Sequence, residues 1–261
     1  MQTLKDFSES QLRRTESLKL RYKILIAVSA VVILLYVFGV LWYNGIIWLN
    51  TPSKSKYPVR GVDVSSYQGD IDWETLSRQG IDFAFIKATE GSGYADTYFR
   101  NNYKNAADTD IRIGAYHFFS FDSPGKTQAE NFIRTVPVTD NMLPPVIDLE
   151  YYGEHGVNPP DKEETRENLK EMSDLLYEHY GMRPIIYVTD ITYERYIKGF
   201  FQDNDIWYRS IFRTAKLSDG RQWTFWQYCN RGRLKGYEGA EQYIDLNVFN
   251  GSKEDFEKYA G

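Results

Sequence analysis

Asp148 and Glu150 stand two residues apart in PPVIDLE, an otherwise apolar stretch. Burying a carboxylate is costly unless it is paired or protonated. Residues i and i+2 of a strand face the same side, so both carboxyl groups share one wall if this stretch is a strand. Two neighbouring carboxylates do not both ionise freely. One pKa rises, leaving a protonated acid beside a charged partner. Such a pair can cleave a glycosidic bond: one group protonates the leaving oxygen while the other stabilises positive charge at the sugar. The spacing alone does not establish this. A structural hydrogen-bond network would use the same residues, and Asp161-Lys162-Glu163 repeats the pattern at a helix start. Three more acids break apolar segments: Asp63 in GVDVS, Glu90 after FIKAT and Asp245 in YIDLN.

The segments that must position these acids alternate in type. Strand candidates are GVDVSS (61–66), FAFIKA (83–88), RIGAYHFF (112–119), PVIDLE (145–150), PIIYVT (184–189), IWYRSI (206–211), TFWQYC (224–229) and IDLNVF (244–249). Several are nearly continuous apolar runs, as in a sheet covered on both faces. Helices are expected between them over 98–107 and 127–134, with a short one capped by Asp72 and ending near Gly80. A longer helix starts at Asp161 with Glu164 three residues on, and Gly181 stops it. Eight strands with interleaved helices predict an α/β fold, a β/α barrel of about 200 residues. The connection between 211 and 224 is too short for a full helix, so the barrel is expected to be irregular. Acids at strand ends would then point to the face where such barrels place their sites.

The chain has 261 residues, a formal charge of −5 and a mean hydropathy of −0.52. These averages hide segregation. No charged residue occurs over 24–53, and 24–43 (ILIAVSAVVILLYVFGVLWY) is apolar but for Ser29 and Gly39. Twenty residues rising 1.5 Å each span about 30 Å, the thickness of a bilayer core. Arg13, Arg14, Lys19, Arg21 and Lys23 precede the run, and Tyr36, Trp42, Tyr43 and Trp48 cluster toward its far end. This pattern predicts a transmembrane helix with its N-terminus in the cytoplasm and an interfacial aromatic belt outside. A cleaved signal peptide fits less well, because the run is long and no small-x-small site follows it. The polar stretch NTPSKSKYP (50–58) reads as a linker. Residues 1–23 carry a net +3, so the remainder carries −8. That balance argues against a nucleic-acid binder. The single Cys229 excludes an internal disulfide and a cysteine metal cluster, and is expected to be a buried, inert thiol. Three histidines, His117, His155 and His179, lack ligand spacing. The 21 Tyr, 15 Phe and 6 Trp suit a core or a sugar-stacking surface.

From Gly61 to Gly251 the chain resembles the family 25 glycoside hydrolases, lysozymes (N-acetylmuramidases) that cut peptidoglycan. The resemblance rests on an ordered set: Asp63-Val64, Gln68-Gly69, Gly80, FIKATEG with Lys87, Thr89, Glu90 and Gly91, then Tyr94 and Asp96. GAYHF (114–118), PVIDLE, IIYVT, WQY (226–228) and IDLNVFNG continue it. It implies an irregular (β/α) barrel of the family 25 lysozyme type at 60–251. Before it stand a cytoplasmic flank (1–23), a transmembrane helix (24–43) and a linker (44–59); a short tail (252–261) follows. It further implies Glu150 as general acid, Asp148 as its partner, and Asp63 and Asp245 as supporting acids. Whether Asp148 or the substrate's own N-acetyl group attacks is open at this point. Tyr116, Tyr187, Trp226 and Gln227 would line the sugar groove, with Lys87 and Glu90 either at the groove or paired with each other. His117, next to Tyr116 on its strand, would face away and be structural. Peptidoglycan and the membrane are the implied partners, and no metal or cofactor is called for. The other readings are a glycan-binding module without turnover and, less in keeping with the histidines, a metal-dependent deacetylase.

Overall fold

The computed structural model describes residues 2–44, 46–48 and 50–260, with side chains from residue 13 onward. It divides into two compact units, 1–48 and 49–261. The first is a single helix, α1 (Gln2–Tyr43). Its apolar stretch is long enough to cross a membrane, and its side chains are exposed. The helix also runs back through the basic flank without a break.

The second unit is a closed barrel. Its strands are β1 (Arg60–Val64), β2 (Phe83–Glu90), β3 (Tyr94–Ala95), β4 (Arg112–Phe118), β5 (Val146–Leu149), β6 (Ile185–Val188), β7 (Ile206–Arg209), β8 (Phe225–Gly232) and β9 (Ile244–Phe249). The order is β1-β9-β8-β7-β6-β5-β4-β2, and β1 also pairs with β2, which closes eight strands into a ring. The two-residue β3 hangs on the end of β2. Every pairing in the ring is parallel except those of β9, which runs antiparallel to both β8 and β1. The start of β9 therefore lies level with the C-terminal ends of the others. All eight expected strands are present.

The helices are α2 (Trp73–Ser77), α3 (Phe99–Ala106), α4 (Gly125–Thr135), α5 (Lys162–Tyr180), α6 (Asp190–Thr192) and α7 (Lys253–Lys258). Asp72 caps α2 by accepting from Thr75 N at 2.9 Å. Asp161 caps α5 by accepting from the Glu163 and Glu164 amides, and Gly181 ends it in the left-handed region at φ 71°. As the short spacing predicts, no helix joins β7 to β8.

Inside the barrel, alternate residues of each strand form a floor of rings. Phe83 and Phe225 lie 5.1 Å apart, Phe85 and Phe225 5.2 Å, and Phe85 and Trp207 4.7 Å. Gly61 and Gly114 make room for them. A Cβ on Gly61 would stand 2.3 Å from the Phe83 ring, and one on Gly114 2.8 Å from Phe85.

Two segments read from sequence as a linker and a short tail pack against the barrel. In the linker, Asn50 Nδ2 donates to Ser210 O at 2.7 Å. Tyr57 is buried, 5.6 Å from the Trp223 ring. In the tail, α7 buries Phe256 under the floor, and Tyr259 OH donates to Asp205 at 2.7 Å. Arg112 ties the tail down by donating to Phe256 O and Tyr259 O at 2.6 and 2.8 Å. A few ring side chains provide the apolar area that short polar-looking sequences otherwise lack.

Candidate active site

Above the aromatic floor, the next inward position of each strand is polar, and these positions line an open cleft of about 620 Å³. Asp63 comes from β1, Lys87 from β2, Tyr116 from β4, Asp148 from β5, Tyr187 from β6, Arg209 from β7, Gln227 from β8 and Asp245 from β9. Glu150, just past the end of β5, joins Asp148 on the same wall. The period-two argument from the sequence holds here: Val146 goes to the core, Asp148 and Glu150 to the cleft.

The hydrogen bonds of this layer have a fixed direction. Trp207 Nε1, which can only donate, gives its proton to Asn247 Oδ1 at 2.8 Å. Asn247 Nδ2 must then face Asp63, donating to Oδ2 at 2.7 Å. Tyr187 OH donates to Gln227 Oε1 at 2.9 Å, and Gln227 Nε2 donates to Asp63 at 3.0 Å and Asp245 at 3.2 Å. Asp63 thus receives two amide donors on one oxygen.

Asp148 and Glu150 differ from this pair. Neither side chain bonds to any described residue, and Asp148 Oδ1 is buried without a partner. Burial, then the charge of Glu150, holds Asp148 well above the usual carboxylate range. Burial also raises Glu150, against the pull of Arg209. Asp245 stands well above its usual range through burial and the Asp63 charge. Asp63 is raised by burial, with Asn247, Gln227 and Asp245 pulling it back. The cleft therefore combines proton-holding acids with carboxyl oxygens that have no protein partner among the described residues, as cleavage of an acetal needs.

Several expected residues fall elsewhere. Trp226 does not line the cleft. Phe225 and Gln227 point inward, so Trp226 points outward, where Nε1 donates to Ser210 O at 2.9 Å and the ring packs near Tyr57 and Trp223. The tryptophan in the cleft is Trp207, one strand over. Glu90 is outside the lining as well. Its carboxylate accepts from Lys87 Nζ at 2.7 Å, while Lys87 itself reaches the cleft. His117 faces away from the cleft, as expected. It is fully buried between Thr89 and Gln128, and burial pulls it down to about 4, so it is neutral. Cys229 is buried and pushed up to about 12 by burial, an inert thiol. Arg209 and Asn247 were not singled out from sequence. A polar residue two positions after an inward aromatic (Trp207 then Arg209) is the signal that would have found the first.

The family model for glycosyl hydrolases family 25 matches residues 62–237. The chain belongs to glycosyl hydrolase family 25. Its structure is similar to that of a family 25 glycosyl hydrolase from Bacillus anthracis. That match has 53% identity and a TM-score of 0.77, and covers 81% of this chain and 98% of the other. A bacterial lysozyme from Streptomyces coelicolor superposes with a TM-score of 0.70 at 31% identity, covering 77% of this chain and 96% of that one. Lysozyme M1 of Streptomyces globisporus is 34% identical over 212 residues, 74% of this chain and 68% of that protein. The family 25 chain described here is therefore a glycoside hydrolase, and its closed irregular barrel is the family's fold.

Proposed function

We propose that this glycoside hydrolase is a membrane-anchored N-acetylmuramidase. It hydrolyses the β-1,4 bond between N-acetylmuramic acid and N-acetylglucosamine in bacterial peptidoglycan. The observation that supports this reading most strongly is the pair Asp148 and Glu150, which face the cleft with side chains bonded to no described residue, in a chain similar to lysozymes.

In this reading Glu150 donates its proton to the leaving oxygen as the glycosidic C–O bond breaks. Burial disfavours a charged Asp148 and so makes it a poor nucleophile, while burial also favours the proton that Glu150 donates. Attack is assigned to the carbonyl oxygen of the substrate's N-acetyl group, with Asp148 steadying that group. Water then opens the cyclic intermediate, its hydroxyl going to the anomeric carbon and its proton to Glu150. Asp63 and Asp245 hold the layer in place, and Tyr116, Tyr187 and Gln227 line the groove.

The anchor is α1, oriented by the basic residues that precede its apolar stretch. Residues 1–23 lie in the cytoplasm, 24–43 span the membrane and the barrel lies outside. Protease added to intact spheroplasts should remove the barrel and spare the first 23 residues.

The activity test is digestion of purified walls by the full chain in detergent, with mass spectrometry of the fragments. Muramic acid at the new reducing end is expected, and glucosamine there would overturn the bond assignment. Binding without new reducing ends would instead favour a glycan-binding module. Glu150→Gln should lower turnover by about 10²–10⁴-fold, the usual worth of a general acid. Near-wild-type activity would remove Glu150 from that role.

A further inference from the structure

Arg209 is the cation of the cleft that its acids leave unused. It enters from β7 opposite Gln227 in register and lines the cleft. Its charge acts on Asp63, Asp148, Glu150 and Asp245, yet its side chain makes no hydrogen bond or ion pair with any described residue. The other cations are engaged. Lys87 is bonded to Glu90 at 2.7 Å and lies 4.7 Å over the Phe118 ring, and Arg231 has contacts of its own.

A guanidinium carries its donors in a planar fork that matches carboxyl oxygens. In a cleft lined by five acids, an anionic group on the substrate is repelled by those that are charged unless a cation is kept for it. The two alternating sugars of the glycan differ in one respect: muramic acid carries a lactyl ether ending in a carboxyl group, and glucosamine does not. We propose that Arg209 is a specificity residue that binds the lactyl carboxyl group of the muramic acid sugar. This deepens the muramidase reading and rests on it.

The test compares three glycans with the full-length enzyme: peptide-free strands with the lactyl carboxylate exposed, the same strands with that carboxyl reduced to the alcohol, and intact peptide-bearing strands. A charge-assisted hydrogen bond implies that the wild type cuts exposed carboxylate over alcohol by about 10- to 100-fold in kcat/KM. Arg209→Met should lose that preference and cut both at the lower rate, with Arg209→Lys in between because it keeps the charge and loses the fork. A parallel loss on intact strands would show that the amidated lactyl carbonyl is bound too, and its absence would assign Arg209 to the free carboxylate. The inference is overturned if the wild type treats acid and alcohol strands alike, or if Arg209→Met falls equally on both. One measurement needs no variant: N-acetylmuramic acid should inhibit the wild type at least about ten times more tightly than N-acetylglucosamine. Equal inhibition also overturns it. A wild type that cuts none of the strands would instead refute the muramidase reading.

Discussion

Asn247 and Gln227 hold Asp63 as an acceptor, because Trp207 and Tyr187 fix which way each amide turns. Donors to the charged form lower a carboxyl's pKa, so removing one raises it. Asn247→Leu should therefore move the acid limb of the kcat/KM profile to higher pH, and an unmoved limb would take Asp63 out of the catalytic layer. Asp148 and Asp245 carry the opposite consequence. Their folded-state pKa values are raised, so they bind protons more tightly folded than unfolded. The stability tied to that proton is full at low pH and is lost as pH rises through the folded-state values. Asp148→Asn should then stabilise the barrel by about 1–2 kcal/mol near neutral pH and by little below about pH 4. Thermal melts at both pH values check it, and a lower melting temperature at neutral pH would contradict the burial argument. At this scale the acids were legible in the sequence because a carboxylate inside an apolar run is conspicuous. The rings were not: Trp207 and Trp226 both sit in apolar strands, and only the pleat of the closed barrel decides which one points inward. Arg209 is not legible in the sequence, since a single charge after an apolar run usually faces water.

Among the elements, the strands were readable because both faces are covered and the runs are correspondingly apolar. The glycines inside them have a steric meaning that only the structure displays. Gly61→Ala and Gly114→Ala would press a methyl into the Phe83 and Phe85 rings. Overpacking of this kind costs about 1–3 kcal/mol, which urea unfolding would register as a lower midpoint. Helix α7 was missed for the converse reason. Its six residues include one large apolar side chain, Phe256, and nothing in KEDFEK shows a helical period. Burial under the floor supplies what local sequence does not. Phe256→Ala should cost about 3–5 kcal/mol, far more than a change in a free tail. The docked linker escaped notice in the same way, since Asn50 is held by one long-range bond to Ser210 and Tyr57 by ring contacts.

The whole chain joins an apolar helix to an acidic barrel, which is how a mean hydropathy of −0.52 coexists with a segment able to span a membrane. Deleting 24–43 should release the protein from the membrane fraction, and its persistence there after a high-salt wash would point to a different attachment. The closure of the barrel has one more consequence. The seam joins β1, whose first residue is Arg60, to β9, which ends at Phe249, and the layer around Asp63 needs Asp245 and Asn247 from that last strand. A chain emerging from the ribosome carries Asp148 and Glu150 long before it can build the cleft around them. The seam is therefore a timing device. Wall-cutting capacity begins only when nearly the entire barrel has been delivered and folded.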